Sequence, residues 1–366
     1  MAKILLTGAT GYIGHKLLSR LLSQRAETIL VPVRATSAEE LGKRTQSLLE
    51  GIPADKHARV QVLQSDLDAL PKALEPHRSE ISIIIHNAAK TAFNVDETTA
   101  NSVNRDASLA LLKFASECPK LENFTYVSTL YASGMTAGPI REEFFPNPTF
   151  ANHYERSKWE VEEALRTQYS KLPWRIARVA TVIADGTSGT VIQQNAIHNT
   201  LKLFYYGLIS LLPGKAETPI HLVDGDFTAE SLAAVVSRGE AQKIYHVCYD
   251  QAGSIMLGRF IDIAFDEFNK DETFKTRRLL KPLFADEKSF DTLVTNMKGF
   301  GGSVLNQGLA SISPFGRQLF VKKEVDNSSL QALLPGYKTP ATEEIVRNTC
   351  QYLAQTKFAK YQGSAL

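Results

Sequence analysis

The chain has 366 residues, of which 43% are hydrophobic and 22% charged, with a formal net charge of +2 at pH 7. This balance excludes a disordered or collagen-like chain, and so small an excess of cations gives no reason to expect a nucleic-acid partner. The length predicts two domains or one enlarged domain, and Cys118, Cys248 and Cys350 stand too far apart for a disulfide framework or a zinc cluster, which fits a cytoplasmic protein without a metal.

Lys3 to Leu6 is a short apolar run with the composition of a buried strand, placed where a signal peptide would otherwise stand. Glycines follow at 8, 11 and 14, and His15 to Leu22 continues as a helix with Leu17, Leu18, Leu21 and Leu22 on one side. Strand, glycine turn and helix in that order make a phosphate cradle. Glycine lets the backbone turn sharply and approach a pyrophosphate, and the helix start offers unpaired N–H groups. Gly8, Thr10, Gly11, Tyr12, Ile13 and Gly14 are its residues. The spacing is G-x-x-G-x-x-G, and a purely structural turn is the alternative.

Strand and helix patterns then alternate. Strands are predicted at Thr28–Val33, Arg59–Leu63, Ile81–Ile85, Asn123–Ser128 and Arg175–Ala184. Helices are predicted around Ser37–Glu50, at Ser102–Glu117 and at His153–Tyr169. This rhythm predicts an α/β fold with a doubly wound parallel sheet over residues 1–185, binding ligands at the strands' C-terminal ends. Residues 186–366 read as a smaller, mainly helical substrate-binding region. It contains an apolar helix at Gln193–Leu212, strands at Ile220–Val223 and Ile244–Val247 that return to the sheet around a helix at Thr228–Arg238, amphipathic helices at Phe260–Phe268 and Ser289–Lys298, and a glycine- and serine-rich loop at Gly299–Gly316. Leu201–Leu212 is too short for a bilayer and is broken by Lys202 and Gly207, so no transmembrane segment is expected.

Sites for NAD usually carry an acid after the second strand; Arg34 stands there instead. Its planar fork suits a 2′-phosphate, Lys43 and Arg44 add charge, and NADP(H) is the expected cofactor. A solvated surface arginine is the alternative. Asp66 and Leu67 would flank the adenine, and Asn87, Ala88 and Ala89 would floor the ribose. Asn104 would support the site, while His86 reads as a packed core histidine. Tyr154 and Lys158 share one helix face. A lysine ammonium joined to the phenol through the nicotinamide ribose hydroxyls would lower the tyrosine's pKa and fit it for proton transfer. Thr129, ending the fifth strand, would hold the same substrate oxygen.

These motifs together resemble the extended short-chain dehydrogenase/reductases: T-G-A-T-G-Y-I-G, Asp66-Leu67, Asn87-Ala88-Ala89, Tyr126-Val127-Ser128-Thr129 and Tyr154-x-x-x-Lys158, in that order. Val33-Arg34-Ala35, His86-Asn87-Ala88-Ala89 and Tyr154-Glu155-Arg156-Ser157-Lys158-Trp159 further resemble the thioester reductase and "male sterility" fatty acyl reductase branch. That resemblance implies NADPH-dependent reduction of an acyl thioester, on CoA or an acyl carrier protein, to aldehyde or alcohol. Two places depart from the pattern: Arg178-Val179-Ala180, where Arg-Pro-Gly is usual, and Ser108, ending an N-x-x-G-T-like motif that starts at Asn104. Competing expectations are a reductase of free ketones, aldehydes or alcohols, a nucleotide-sugar epimerase or dehydratase, and a non-catalytic NADP sensor. The helices at Leu201–Leu212 and Phe290–Met297 are candidate walls for an acyl channel, or ordinary core. Arg277, Arg278 and Lys281 are candidate contacts for CoA phosphates or an acidic carrier, or a solvated face. The oligomeric state is left open.

Overall fold

The computed structural model describes residues 2–297 and 313–361. Strands run in the order β1 Lys3–Thr7, β2 Thr28–Val33, β3 Val60–Gln64, β4 Ile81–His86, β5 Asn123–Thr129, β6 Gly138–Ile140, β7 Trp174–Val179, β8 Thr181–Ala184, β9 Leu211–Pro213, β10 Pro219–Ile220, β11 Leu222–Asp224, β12 Lys243–Val247, β13 Ile255–Met256, β14 Leu283–Ala285 and β15 Lys323–Val325. The helices that shape the site are α1 Tyr12–Gln24, α2 Ala38–Leu49, α3 Leu70–Leu74, α4 Glu97–Thr99, α5 Ala107–Ser116, α6 His153–Thr167, α7 Ala196–Tyr205 and α8 Gly225–Arg238.

Seven strands form one parallel sheet in the order β12-β7-β5-β4-β1-β2-β3. All six residues of β4 are buried, as a continuous apolar run requires when helices cover both faces. One face packs Leu5, Leu30, Ile84, Phe124 and Ile176 against Leu111, Leu112, Val161 and Leu165 of α5 and α6. The other packs Leu6, Val31, Ile85 and Ala177 against α1 and α8. The chain builds outward from β1 to β3, then crosses back to β4, so the winding reverses between β1 and β4. Thr7 and His86 pair at the C-terminal end of that seam, where such sheets open a crevice.

Several elements differ from the sequence expectation. The strand expected over Arg175–Ala184 breaks at Ala180. Its first half stays in the main sheet, and Ala180 N–H makes a 3.0 Å bond to Val247 O. The second half, β8, leaves to pair with β11. Residues 220–223 therefore do not join the main sheet, whereas β12 does, at its edge. The helix expected over Gln193–Leu212 is shorter. At Gly207, with φ at 71°, the chain turns left-handed, and the N–H groups of Gly207 and Leu208 close on Phe204 O and Leu203 O. Leu211–Pro213 is then free to pair with β14. The helix expected from Ser102 begins at Glu97 and passes through a π-helical stretch, Ala100–Asp106, before α5. Of the expected loop at Gly299–Gly316, residues 299–312 lie outside the described residues and 313–316 are helical. Among the described residues no helix is long and apolar enough to cross a membrane.

The glycine turn leaves no room for side chains. Gly8 has φ at 72°, and a Cβ at Gly14 would lie 2.0 Å from Gly8 O, a backbone atom that cannot swing away. Gly14→Ala should therefore cost about 1–3 kcal/mol by overpacking the turn. Thermal unfolding checks this, and an unchanged Tm would show that the turn relaxes freely.

Candidate active site

The site begins where β1 and β4 end. Thr7 Oγ1 accepts bonds from the N–H groups of Asn87 and Ala88, both 3.1 Å, and lies 2.8 Å from His86 Nδ1. Ser108 Oγ donates to Asn104 O (2.5 Å) and lies 2.8 Å from His86 Nε2. With that hydroxyl proton committed, His86 is the Nε2–H tautomer and Thr7 donates to Nδ1. Burial, and then the charge of Lys158, push the His86 pKa down to about 3, so the ring is a neutral strut.

All the residues expected to bind cofactor or act on substrate, save Asn104 and Lys43, line one cleft of about 500 Å³. A wider groove of about 880 Å³, lined by Arg20, Asp226 and Tyr337, holds none of them, so chemistry rather than size selects the cleft. Asn104 sits behind the wall, 1% exposed. Its Oδ1 accepts from Lys90 N–H (2.8 Å), and its Nδ2 donates to Lys90 O (3.0 Å) and Ser157 Oγ (3.2 Å), tying the loop after β4 to α6. Tyr12 donates from its hydroxyl to Asp185 Oδ1 (2.7 Å), which fixes the cradle to the end of β8. Arg34 projects with 65% of its side chain exposed, 3.8 Å from Asp66, and Arg44 pairs with Glu40 at 2.7 Å. Lys43 pairs with Glu39 and is not among the cleft-lining residues.

Helix α6 carries the candidate acid–base pair. Asn152 caps it, its side chain accepting from Glu155 N–H at 2.9 Å. The cap places Tyr154 in the first turn, where it lines the cleft together with Thr129. Burial raises the Tyr154 pKa, with Thr129 opposing, so the phenol holds its proton. Lys158 donates to Val127 O at 2.6 Å and lies 4.2 Å from the centre of the Tyr126 ring. Burial pushes its pKa down to about 7, against the pull of Glu162. The protein alone thus spends the ammonium on a carbonyl and a ring, and not on the phenol; the coupling expected from sequence runs through ribose hydroxyls. Phe93 packs edge-on to Tyr154 (5.6 Å) and Tyr131 (5.4 Å), and Phe315 joins them from the second half of the chain.

One essential network escaped the sequence reading. Glu162 and Arg178 form an ion pair at 2.6 Å with no exposure on either side chain. Ser128 donates to Glu162 (2.5 Å), and Arg178 Nη1 donates to Glu143 O (2.9 Å) and His246 Nε2 (3.3 Å). The signals were a glutamate one turn beyond Lys158 and an arginine, Arg178, between apolar residues of a central strand. Glu155, Gln318 and Lys323, also buried beside α6, were missed as well.

Other expectations fall elsewhere. Ile197 and Phe315 are shared between the cleft and a small apolar pocket lined by Leu212, Ile220, Leu257 and Phe260. Of the second proposed channel wall, Phe290 is buried against Phe320, and the side chains of Leu293, Val294 and Met297 lie outside the described residues. Arg277 packs on the rings of Tyr205 and Tyr206, and Lys281 pairs with Asp262. The three cysteines are buried, and burial raises every thiol's pKa, Cys118 to about 11.

The male sterility protein family model, an NAD-binding family, matches residues 6–232. Over 160 residues the chain is 30% identical to fatty acyl-CoA reductase 2 of Mus musculus, covering 40% of this chain and 31% of that protein. It is 26% identical over 214 residues to an isonitrile lipopeptide synthase of Streptomyces coeruleorubidus, covering 55% of this chain and 14% of that one. The chain thus spans less than a third of the length of these curated relatives. The crystal structure of the terminal R domain from the myxalamid PKS-NRPS biosynthetic pathway shares the fold, with a TM-score of 0.78 at 20% identity over 98% of this chain and 92% of that one.

Removing one partner of the buried ion pair strands the other's charge. Glu162→Gln should cost about 3–5 kcal/mol, and Glu162→Leu combined with Arg178→Met should cost clearly less. Urea unfolding of the three proteins decides this; a double variant as unstable as the single one would mean the site needs the charges for packing alone.

Proposed function

The chain belongs to the male sterility protein family, and from that premise we propose that it reduces an acyl thioester with NADPH, releasing the thiol and an aldehyde or alcohol. The observation that carries this reading is the Thr129–Tyr154 hydroxyl pair, buried at the C-terminal end of β5 on the wall of the cleft. The fatty acyl-CoA reductases among its relatives support the thioester class, on CoA or on a carrier.

The residues present fit the cofactor. The glycine turn excludes a Cβ, and Gly11 begins α1 with no side-chain cap, leaving first-turn N–H groups available for a pyrophosphate. Gly8, Thr10, Gly11, Tyr12, Ile13 and Gly14 would hold that group, and Arg34 and Arg44 a 2′-phosphate. Asp66 and Leu67 would border the adenine, Asn87, Ala88 and Ala89 the ribose, and Lys158 the nicotinamide ribose hydroxyls. NADPH, when bound, supplies hydride to the carbonyl carbon.

The chain's own residues do the rest. Tyr154 Oη and Thr129 Oγ1 donate to the carbonyl oxygen as negative charge gathers there. Each such donor is worth about 10²–10³ in rate. Because burial keeps Tyr154 protonated, its proton is in place at neutral pH. Phe93, Tyr131 and Phe315 wall the cleft beside it and keep water from the reacting centre.

The direct assay offers NADPH with acyl-CoAs of several lengths, ketones and nucleotide sugars. Free thiol should appear in step with NADPH loss; turnover confined to a ketone or a nucleotide sugar would refute the thioester class. Arg34→Ala should weaken NADPH binding about tenfold and leave NADH nearly unchanged, as loss of a charge-assisted bond to phosphate would. Titration by nucleotide fluorescence reads this, and equal losses for both cofactors would remove Arg34 from phosphate recognition. Tyr154→Phe should abolish turnover while NADPH still binds, and a rate near that of the parent would take α6 out of the chemistry.

A further inference from the structure

Two side chains beyond the family-matched segment reach the turn after Thr129 and the residue next to Tyr154. Lys323, the first residue of β15, is 5% exposed. Its ammonium donates to Ser133 Oγ (3.0 Å), Gly134 O (2.6 Å) and Thr136 O (3.0 Å), so all three protons go to the turn that follows Thr129. Gln318, 4% exposed, donates from Nε2 to Glu155 Oε2 (2.9 Å) and more weakly to Gly134 O (3.4 Å). Glu155, fully buried and next to Tyr154, also accepts from Ala151 N–H (3.1 Å) and Asn152 Nδ2 (2.8 Å). The pairing of β15 with β6 in parallel, Lys323 beside Gly138 and Val325 beside Ile140, holds Lys323 in register, and Gln318 sits in the helical turn Arg317–Phe320 just before it.

We propose that Lys323 and Gln318 are positioning residues that clasp the turn after Thr129 to Glu155 at the head of α6, and so fix how the Thr129 and Tyr154 hydroxyls meet the substrate carbonyl. The proposal rests on the reading that those two hydroxyls act on the carbonyl.

The cost of the arrangement argues for such a role. A buried ammonium without a bonded carboxylate is expensive, and an apolar side chain would fill the same space at less cost. What an apolar side chain cannot do is hold three acceptors of one turn. Gln318 Oε1 is buried with no donor, so its amide forgoes one bond to keep Nε2 on the carboxylate. The titratable groups facing Glu155 are Lys323 from β15, Tyr131 from the turn and Tyr154 from its own helix. Burial raises Glu155 to about 7 and pushes Lys323 down to about 8. As pH rises through about 7, Glu155 gains charge. It then pulls harder on Gln318 and Lys323, and it opposes ionisation of Tyr154.

The test compares the parent protein with Lys323→Met, Lys323→Arg and Glu155→Gln. Amide hydrogen exchange is read first. In Lys323→Met, exchange should rise roughly tenfold or more across residues 130–136 and 153–156 and stay as in the parent across β1 and α1, as local opening allows. With NADPH and octanoyl-CoA, kcat should fall about tenfold while the NADPH Kd stays within about twofold, since small misplacements of reacting groups are costly. Lys323→Arg should recover part of the rate, and Glu155→Gln should remove part of the pH dependence of kcat between pH 6 and 8, the part left belonging to Lys158. The clasp is overturned if exchange at the turn is unchanged in Lys323→Met. It is equally overturned if exchange rises everywhere with a lower Tm and Lys323→Arg rescues nothing. If the parent reduces no thioester, or if Tyr154→Phe is as active as the parent, the functional reading fails instead, and the exchange data still decide the clasp.

Discussion

The site depends on one buried charge pair. Arg178 and Glu162 are wholly removed from water, and such a pair survives only when nearly every donor and acceptor is spent. Here they are. Glu162 takes bonds from Arg178 and Ser128, and Arg178 gives its two Nη1 protons to Glu143 O and His246 Nε2. His246 faces Asp326 O with Nδ1 at 2.7 Å, and burial holds its pKa near 3, so the ring accepts from the guanidinium as a neutral base. Four elements are thereby locked together: α6 through Glu162, β5 through Ser128, β7 through Arg178 and β12 through His246. Lys158 lies one turn back along α6 and Thr129 one residue beyond Ser128. The pair thus sets the register of the candidate residues although it does not itself line the cleft.

Burial does a second thing at this site. It holds Lys158 near the edge of neutrality and Tyr154 firmly protonated. For a lysine whose folded pKa is lowered, the folded state is penalised most below that pKa, and the penalty fades between about 7 and the ordinary value of 10.5. At neutral pH the protein therefore bears part of the cost of a buried cation. A ligand that brings hydroxyl acceptors to Lys158 relieves that cost, so binding and charging of the lysine favour one another.

Much of this was legible in the sequence because it is written locally. The apolar runs gave six of the seven strands of the parallel sheet to within one residue. The glycine turn, Arg34, and the four-residue spacing of Tyr154 and Lys158 each encode a constraint carried by neighbouring residues. What stayed hidden depends on partners. The β-rich run at 175–184 cannot reveal that Ala180 ends one ladder and Thr181 begins another. Asn104 was expected to support the site, but only the fold shows how: its amide clamps Lys90 to Ser157 behind the cleft wall. The bonds from Gln318 to Glu155 and from Lys323 to Ser133 join residues 163 and 190 positions apart, beyond any periodicity.

The central claim is that the buried Thr129 and Tyr154 hydroxyls serve hydride addition to a thioester carbonyl. It is tested most directly by following the label from NADPH deuterated at its transferable position, with octanoyl-CoA as acceptor and mass spectrometry of the products. The account predicts deuterium at C1 of the aldehyde or alcohol, with CoA thiol released and none of this in Tyr154→Phe. Deuterium found instead on the carbinol carbon of a ketone substrate, with octanoyl-CoA left intact, would contradict it.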